Sequence, residues 1–300
     1  MQNSISQYIK ELARNIGFDA CGLARADILN DEMEMYKRWL ESGYEAEMNY
    51  AHNYLDIREN IQLLQNNTKT VLVTLSNYYP QKLQDSRLPQ IAKYAYGRDY
   101  HKVLLKMHQL LLKLINDKFE CNGRVFVDSA PVLERSWAQK AGLGFIGKNG
   151  MLISPSIGVH TLISGIALDI EMDEYDEPIQ RSCGRCGLCI DNCPTGAIVK
   201  PKIIDSNKCL SYLSIEYRGD FKAGTMLGNR IFGCDTCIDI CPYNKKKSNS
   251  LSDFTPVDDR LILTLEDWRN LTEEQFNSLF NGTAVKRAKY SGIVRNLKNL

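Results

Sequence analysis

The sequence has almost no net charge, few histidines and no long apolar run. Its 300 residues carry 37 Lys and Arg against 36 Asp and Glu, and only four His. No run approaches the ~18 apolar residues of a membrane-spanning helix, and the charged N-terminus lacks the apolar core of a signal peptide. A composition of 44% hydrophobic and 24% charged residues excludes a disordered or collagen-like chain. These features predict a soluble, cytoplasmic, globular protein that has no membrane partner.

Helical and extended patterns alternate in the first half of the chain, which predicts an α+β fold. We expect a domain over 1–175, a cysteine-rich domain over 176–250 and a basic, partly helical C-terminal tail over 251–300. The stretch IAKYAYG (91–97) alternates and predicts a strand, and a helix is expected over 265–279. The acidic stretch 171–178 has the composition of a solvated linker.

Eight of the ten cysteines lie close together, between Cys183 and Cys241. In a cytosolic chain such a cluster indicates metal binding and not disulfides. The runs Cys183-x2-Cys186-x2-Cys189-x3-Cys193-Pro194 and Cys234-x2-Cys237-x3-Cys241-Pro242 end alike, as in a duplicated ferredoxin-type unit. In such units the last cysteine of each run binds the other [4Fe–4S] cluster. The predicted ligand sets are therefore Cys183, Cys186, Cys189 and Cys241 for one cluster, and Cys193, Cys209, Cys234 and Cys237 for the other.

Cys209 departs from the symmetric spacing, because 24 residues (210–233) separate it from Cys234. Such an insertion could contact a further cofactor. The alternative interpretation of the cysteines is structural zinc at four-cysteine sites, although zinc does not require the two Cys-Pro endings. Two adjacent clusters indicate an electron relay, so the chemistry is expected in the N-terminal domain.

Glycines and histidines of the N-terminal half are less informative. Gly142, Gly144 and Gly147 form a literal G-x-G-x-x-G, but this motif follows a helix and not a strand, which argues against a dinucleotide site. Tight turns beside a bulky ligand are the better interpretation. Asp99-x-His101 matches only the beginning of the D-x-H-x-x-G cobalamin signature, since position 104 is Leu.

Asp128 is the candidate catalytic acid. It ends the short apolar run RVFVD (124–128), and an acid facing a pocket at a strand end can have a raised pKa and donate a proton. A helix-capping role is the alternative. Tyr94, Tyr96 and Tyr100 either pack in the core or line a flat ligand.

Basic residues are concentrated late in the chain, in the insertion and in residues 281–300. Each group alone is typical of a solvated face. Together, in a nearly neutral protein, they indicate contacts with a phosphate backbone. The groups are Arg218, Lys222 and Arg230, then Lys245, Lys246 and Lys247, and finally Lys286, Arg287, Lys289, Arg295 and Lys298.

The chain resembles the epoxyqueuosine reductases over nearly its whole length. The resemblance rests on YGRDYH (96–101), VDSAPVLERSWAQKAGLGFIGKNG (127–150), SCGRCGLCIDNCPTGAI (182–198), CLSYLSIE (209–216) and GNRIFGCDTCIDICPYN (228–244). It implies a nitroreductase-like cobalamin-binding domain followed by a two-cluster ferredoxin-like domain, with cobalamin bound base-off. The implied reaction reduces the epoxide of epoxyqueuosine at the tRNA wobble position, with cob(I)alamin fed by two [4Fe–4S] clusters.

Several residue roles follow from the resemblance alone. Asp128 matches the proton donor. Cobalamin contacts are expected at Arg58, Tyr96, Lys148 and Ser211 as well as Asp128, with His160 and Ser214 as weaker candidates. Arg218 is a candidate tRNA contact. A flavodoxin- or ferredoxin-like one-electron donor and a monomeric state are also expected.

Two other classes of protein stay open at this point. One is a reductive dehalogenase-like corrinoid enzyme, which would lack a basic tRNA face. The other is a non-catalytic two-cluster electron-transfer protein, which would leave the N-terminal domain without a role. Many members of the resembled family continue beyond Arg295-Asn296 into a helical-repeat extension, whereas this sequence ends at Leu300. If that extension helps to hold tRNA, lower tRNA affinity is expected.

Overall fold

The computed structural model describes residues 4–245, 248–249 and 251–300. Short 3-10 turns occur at Asn49–His52, Ile61–Leu63, Lys93–Ala95, Ser252–Phe254 and Ala284–Ala288. The α-helices are α1 (Ile5–Ile16), α2 (Asn30–Glu41), α3 (Leu55–Glu59), α4 (Tyr100–Phe119), α5 (Glu134–Lys140), α6 (Leu188–Asp191), α7 (Leu210–Ile215), α8 (Thr236–Asp239), α9 (Asp258–Leu261), α10 (Leu265–Asn270), α11 (Glu273–Leu279) and α12 (Lys289–Leu297).

The strands form one larger sheet and several short pairs. The strands are β1 (Ala20–Arg25), β2 (Thr70–Asn77), β3 (Gln90–Ile91), β4 (Gly123–Phe126), β5 (Phe145–Ile146), β6 (Leu152–Ile153), β7 (Thr161–Leu168), β8 (Ile198–Lys200), β9 (Ile203–Ile204) and β10 (Arg230–Phe232). The main sheet has the order β1-β2-β7-β4 and is antiparallel throughout. Parallel pairing joins β3 to β10, and hairpins join β5 to β6 and β8 to β9.

Both faces of the main sheet are covered, which explains why β2 is buried along its whole length. Successive side chains of a strand point to opposite faces. Accordingly Leu72 packs with α1 and α4 in one core, whereas Val71 and Val73 pack with α5 in the other. A continuous apolar run is the expected sequence of such a strand, so the mixed helix and strand architecture is confirmed.

Helix α4 is central to the functional site because its first turn is fixed. The Asp99 side chain caps it by accepting a hydrogen bond from the His101 backbone N–H at 3.1 Å. The capped first turn carries Tyr100 and His101, while Leu104, Leu111 and Ile115 further along are buried in the core. The cap thus holds two polar aromatic side chains at the end of a well-packed helix.

Two local predictions are wrong for identifiable reasons, and a third needs a refinement. The expected strand over 91–97 is limited to Ile91 in β3, because the Lys93 N–H turns to the Asp235 carboxylate, at 2.8 Å, and opens a 3-10 turn. The expected helix over 265–279 is two helices, because Thr264 and Thr272 each form a capping box and start a separate helix. The acidic stretch 171–178 is a largely exposed loop, as expected, but it is also held in place, since Asp173 accepts hydrogen bonds from the N–H groups of Ile5 and Ser6 at the start of α1.

The C-terminal segment packs on the insertion between Cys209 and Cys234. Its aromatic residues Trp268, Phe276 and Phe280 share a core with Ile215 of α7 and Phe232 of β10. Asn296 of α12 is fully buried and donates to the carbonyls of Ser214 and Ile231, at 2.8 and 2.9 Å. The segment 251–300 therefore braces the insertion.

Among the described residues, none of the helices combines the length and the apolar character that a membrane span requires.

Candidate active site and cysteine clusters

Asp128 lies at the tip of the loop between β4 and α5. Its backbone is left-handed, with φ of 54°, a conformation that Asp tolerates better than most residues. Its side chain is 59% exposed. Val127 before it and Val132 after it are buried, so the loop is anchored on both sides while its tip presents a carboxylate to solvent.

The first turn of α4 supplies two donors to this carboxylate. The Tyr100 hydroxyl donates to Asp128 Oδ2 at 2.8 Å, and His101 Nε2 lies 3.0 Å from the same oxygen. His101 Nδ1 lies 2.8 Å from Asp99 Oδ1. Since each ring nitrogen faces a carboxylate, which only accepts hydrogen bonds, the doubly protonated imidazolium satisfies both. The site is a chain of Asp99, His101 and Asp128.

The pKa shifts agree with this geometry. Burial lowers the pKa of His101, but its hydrogen bonds to Asp128 and Asp99 outweigh that effect and raise the pKa to about 9. The hydrogen bond from His101 lowers the pKa of Asp128, with a further contribution from Tyr100. The sequence-based expectation of a raised pKa at Asp128 is therefore wrong, because near neutral pH the shared proton resides on His101.

Glu134, the first residue of α5, holds the backbone of Asp128. Its Oε1 accepts the Asp128 N–H at 2.6 Å. Burial, followed by the charge of Asp128, raises the pKa of Glu134 to about 8. Asp128 is thus held through its side chain by α4 and through its backbone by α5.

Residues from distant parts of the chain also act on Asp128. Arg287 forms a bidentate ion pair with Glu216, with both N–O distances at 2.9 Å, and its charge contributes to the lowered pKa of Asp128. Tyr50 exposes 49% of its surface. Burial of its hydroxyl, and then the charge of Glu216, raise the pKa of Tyr50 to about 12. The surroundings of Asp128 therefore include the insertion and the C-terminal segment.

The eight clustered cysteines fall into two spatial groups. Cys183, Cys186, Cys189 and Cys241 line one small cavity together with Lys148, and the Lys148 backbone N–H donates to Cys183 Sγ at 3.4 Å. Electrostatic interactions link Cys209 to Cys193 and Cys234, and link Cys237 to Cys234 and Cys209. We name the first group the outer set and the second the inner set.

Backbone N–H groups point at two sulfurs of the inner set. Burial would raise the pKa of the Cys193 thiol, but N–H groups of Thr195, Ala197 and Ile198 lower it overall. Burial raises the pKa of Cys209, and the N–H groups of Ser211 and Tyr212, in the first turn of α7, oppose that rise. These donors favour thiolates, the ligand form of cysteine. Among the described residues, no three His, Cys, Asp or Glu side chains converge closely enough for a single metal ion.

An aromatic path joins the inner set to Asp128. The Tyr94 ring lies 5.9 Å from the Tyr100 ring and 6.1 Å from that of Phe232, between centroids. Phe232 precedes Cys234 by two residues, and Tyr100 donates to Asp128. Burial, and then the charges of Asp235 and Asp128, raise the pKa of Tyr94. The path therefore runs from Asp128 to the chain segment that carries Cys234 of the inner set.

The structure places the predicted cobalamin contacts in different environments. Arg58, on α3, donates to the carbonyls of Asn53 and Tyr50. Tyr96 is only 2% exposed and packs in the C-terminal core, which leaves little of its ring for a ligand. Lys148 lies beside the outer set and Ser211 beside the inner set. Their predicted role in binding cobalamin stays a prediction.

The weaker candidates are engaged within the protein. His160 is buried, with Nε2 3.3 Å from Asp239. The Ser214 hydroxyl donates to the Leu210 carbonyl at 2.7 Å. Arg218 is exposed, but its guanidinium donates to the carbonyls of Ala288 and Arg287, so it fixes the C-terminal segment.

The glycine-rich stretch 142–150 is filled by the protein itself. Gly142 has a positive φ, as one of the expected turns requires. A Cβ at Gly144 would lie 2.5 Å from the Ile153 carbonyl oxygen, and one at Gly147 would lie 2.5 Å from the Ile153 side chain. These glycines permit close packing, so the expectation that they accommodate a bulky ligand is not supported at these two positions.

Sequence reasoning gave no role at this site to His101 and Glu134. It assigned Tyr100 only to the core or to a flat ligand, and Arg287 only to a phosphate backbone. His101 was considered only as an incomplete metal-binding signature. The spacing Asp99-x-His101 at a helix start was a usable signal, because a capping Asp places its carboxylate beside the first turn. Arg287 approaches Asp128 only through tertiary packing of the C-terminal segment.

Comparison with known proteins matches both parts of this arrangement. The family model for a 4Fe-4S double cluster binding domain matches residues 182–244, and the model "Epoxyqueuosine reductase QueG, DUF1730" matches residues 58–129. The epoxyqueuosine reductase of Leadbetterella byssophila is 42% identical over 298 residues, covering 97% of each chain. That of Cellulophaga algicola is 40% identical, covering 97% of this chain and 96% of the relative. The Escherichia coli enzyme is 33% identical, covering 98% and 80%.

Solved structures agree with the sequence relatives. A crystal structure of epoxyqueuosine reductase with an epoxyqueuosine-modified tRNA-Tyr stem loop superposes with a TM-score of 0.88 at 26% identity, covering 98% of this chain and 80% of that one. A Bacillus subtilis epoxyqueuosine reductase, with its catalytic aspartate loop swung out of the active site, gives 0.87 at 26% identity and the same coverage. This chain therefore belongs to the epoxyqueuosine reductase family.

Proposed function

We propose that this protein is a cytoplasmic oxidoreductase that reduces the epoxide of epoxyqueuosine in tRNA to the alkene of queuosine. The observation that carries the proposal is the Asp99, His101 and Asp128 chain, from which an aromatic path leads toward the inner set of cysteines in a member of this family. The reaction consumes two electrons and two protons, breaks both C–O bonds of the epoxide and releases water. The site thus needs an electron supply and a proton supply.

We propose two [4Fe–4S] clusters as the electron supply, one in each cysteine set. The outer set is Cys183, Cys186, Cys189 and Cys241, and the inner set is Cys193, Cys209, Cys234 and Cys237. Four sulfurs around a cavity, with backbone N–H groups directed at several of them, fit a thiolate-ligated polynuclear group. The aromatic path from Asp128 ends at Phe232, two residues before Cys234 of the inner set, so this set would pass single electrons toward Asp128.

Cobalamin is the proposed partner of Asp128, in a nitroreductase-like domain over 1–175. Tyr50 leaves an exposed aromatic surface within electrostatic reach of Asp128, which suits cover by a large macrocycle. The residues that would hold it are Arg58, Ser211 and Asp128. Lys148 lies at the outer set instead, and Tyr96 is buried in the C-terminal core. When bound, cobalamin would supply electrons to an epoxide carbon.

The residues of the chain itself control the protons. Asp128 Oδ2 is the group at which a leaving epoxide oxygen would be protonated, and His101 Nε2 is the reservoir 3.0 Å behind it. Asp99 keeps the imidazole oriented and charged. Tyr100 donates to the same Oδ2 and prevents the carboxylate from turning away. Solvent would return a proton to His101 for the second protonation.

Substrate tRNA would reach this site over the C-terminal segment, which lies near Asp128. Arg287 is its best-placed cation, since its charge reaches Asp128. Arg218 would contribute mainly by fixing that segment through the Arg287 and Ala288 carbonyls. We further propose that the protein is a monomer, with the cluster domain over 176–250 and the tRNA-facing segment over 251–300.

The test is anaerobic purification, measurement of iron, sulfide, zinc and cobalt per chain, and incubation with cobalamin, a chemical reductant and epoxyqueuosine tRNA. The proposal predicts about eight irons and eight sulfides, one retained corrin, and conversion to queuosine detected by mass spectrometry of the digested tRNA. Iron without corrin uptake or turnover would favour an electron carrier. Zinc in place of iron would contradict the cluster assignment.

A further inference from the structure

The outer cysteine set lies under a strongly basic surface. Residues 178–190 and 240–252, which carry its four cysteines, contain five basic residues and no acid. Of these, Arg181, Arg185 and Lys245 are described and exposed. Lys148 lines the cavity of the set, and Lys202 joins it through a 2.9 Å backbone bond to the Lys148 carbonyl. We call Lys148, Arg181, Arg185, Lys202 and Lys245 the basic face.

The cations of the basic face are not neutralised within the described part of the chain. None of the five takes part in an ion pair there, whereas Lys93, beside the inner set, pairs with both Asp235 and Asp239. The nearest acids along the chain are Asp191, two residues after Cys189, and Asp239, two residues before Cys241, and Asp239 is already paired with Lys93. Unpaired cations around a redox group create a local positive potential in a protein whose net charge is only +1.

An apolar centre lies within this charged rim. Leu188 and Ile240 directly adjoin Cys189 and Cys241 in the chain, and they are 42% and 38% exposed. Tyr243 links the two cysteine loops, because its hydroxyl donates to the Ser182 carbonyl at 3.2 Å. An exposed apolar centre with a charged rim is the usual anatomy of a protein interface.

We propose that the basic face, with Leu188 and Ile240 at its centre, is the docking site of an acidic one-electron carrier protein that reduces the outer set. This inference rests on the proposed function, which requires an external donor. The inner set connects to Asp128 through Tyr94, so the outer set is the end of the relay left for electron entry. Charge complementarity favours an acidic protein carrier, and transient electron-transfer complexes bury small interfaces of this kind.

The experiment compares the R181E/R185E variant with K106E/K113E, which makes the same change in net charge on the exposed side of α4. The probe is a bacterial flavodoxin. Its affinity in the oxidised state is measured by calorimetry, and the rate of cluster reduction by its reduced state is followed by stopped-flow absorbance. Iron content establishes that each variant retains its clusters.

We expect R181E/R185E to lower flavodoxin affinity and the second-order reduction rate about tenfold at low salt, and to remove most of their salt dependence. K106E/K113E should stay within about twofold of the unmodified protein on the same reasoning. If R181E/R185E loses iron, R181Q/R185Q replaces it, with a smaller expected loss. Equal rates and affinities for both charge-reversal variants would overturn the proposal.

Two further measurements separate this inference from competing explanations. If R181E/R185E weakens binding of tRNA but not of flavodoxin, the basic face is a nucleic-acid surface and the proposal is wrong. Turnover of epoxyqueuosine tRNA driven by dithionite should be the same in all three proteins. If the unmodified protein gives no turnover with dithionite, the proposed function fails, while flavodoxin affinity still decides the docking site.

Discussion

Replacing His101 with Gln should remove the proton reservoir and leave the fold intact. His101 bridges Asp99 and Asp128 at 2.8 and 3.0 Å. Hydrogen bonds to charged groups contribute about 1.5–3 kcal/mol each. Because the Asp128 side chain is 59% exposed, solvent screening lowers that contribution. We therefore expect H101Q to lower the free energy of unfolding by roughly 1–2 kcal/mol at neutral pH.

The pH dependence gives the sharper test. The pKa of His101 is raised from its ordinary 6.5 to about 9 in the folded protein. Its stabilising contribution is therefore complete below pH 6.5 and is lost as the pH rises through about 9. Urea denaturation should show that the difference in unfolding free energy between the unmodified protein and H101Q is largest near pH 6.5 and disappears above about pH 9.

Turnover should depend on the same His101 proton. The unmodified enzyme should lose activity as the pH rises through about 9, where His101 loses its proton. H101Q should turn over about 10²- to 10⁴-fold more slowly, the usual contribution of general acid catalysis, and should not show this loss of activity at alkaline pH. Tyr100→Phe is the matched control, since it removes one hydrogen bond to Asp128 Oδ2 but should still lose activity at alkaline pH. Unchanged turnover in H101Q, with the same loss at alkaline pH, would contradict the role of His101 as the proton reservoir.

Three further predictions concern the supports of the site. Glu134→Ala should lower kcat with cofactor content unchanged, because the Asp128 N–H loses its partner. Glu134→Gln retains a carbonyl acceptor and should therefore recover most of the activity. Equal kcat values in the two variants would count against a positioning role for Glu134. Cys241→Ala should reduce iron from about eight to about four atoms per chain, and full iron would contradict the outer-set assignment. Asn296→Ala leaves two buried carbonyls unpaired and should cost about 2–3 kcal/mol of unfolding free energy, whereas a change below 0.5 kcal/mol in calorimetry would show that the bracing is unimportant.

Residue spacing predicted the parts of this protein whose partners are close in sequence. The β-branched run TVLVTLS (70–76) predicts the strand observed at Thr70–Asn77, and the apolar periodicity over about 99–117 predicts the helix at Tyr100–Phe119. The cysteine runs identify the double-cluster module. The secondary-structure predictions failed where a side chain accepts a hydrogen bond from a backbone N–H. The Thr272 cap starts a new helix where the apolar pattern alone predicts one continuous helix. The Asp235 carboxylate accepts the Lys93 N–H, which ends the expected strand.

The charge state of Asp128 could not be predicted from its own neighbours in sequence. A strand-end acid was expected to have a raised pKa, but 27 residues separate it from the imidazole that lowers that pKa. Glu134 and Arg287 likewise reach Asp128 through the β4–α5 turn and through packing of the C-terminal segment. The sequence identified Asp128 as the candidate acid. Its proton source, His101, and the residues that position it could be recognised only from the folded structure.

The role of Asp128 is tested most directly by comparing the unmodified protein with Asp128→Asn, each carrying measured iron and cobalt, in anaerobic single-turnover reactions with epoxyqueuosine tRNA. Mass spectrometry of the digested tRNA follows queuosine formation. We expect queuosine with the unmodified protein and a loss of at least about 10²-fold in rate with the variant, at equal cofactor content. Equal rates in the two proteins would contradict the assignment of Asp128 as the group that protonates the epoxide oxygen.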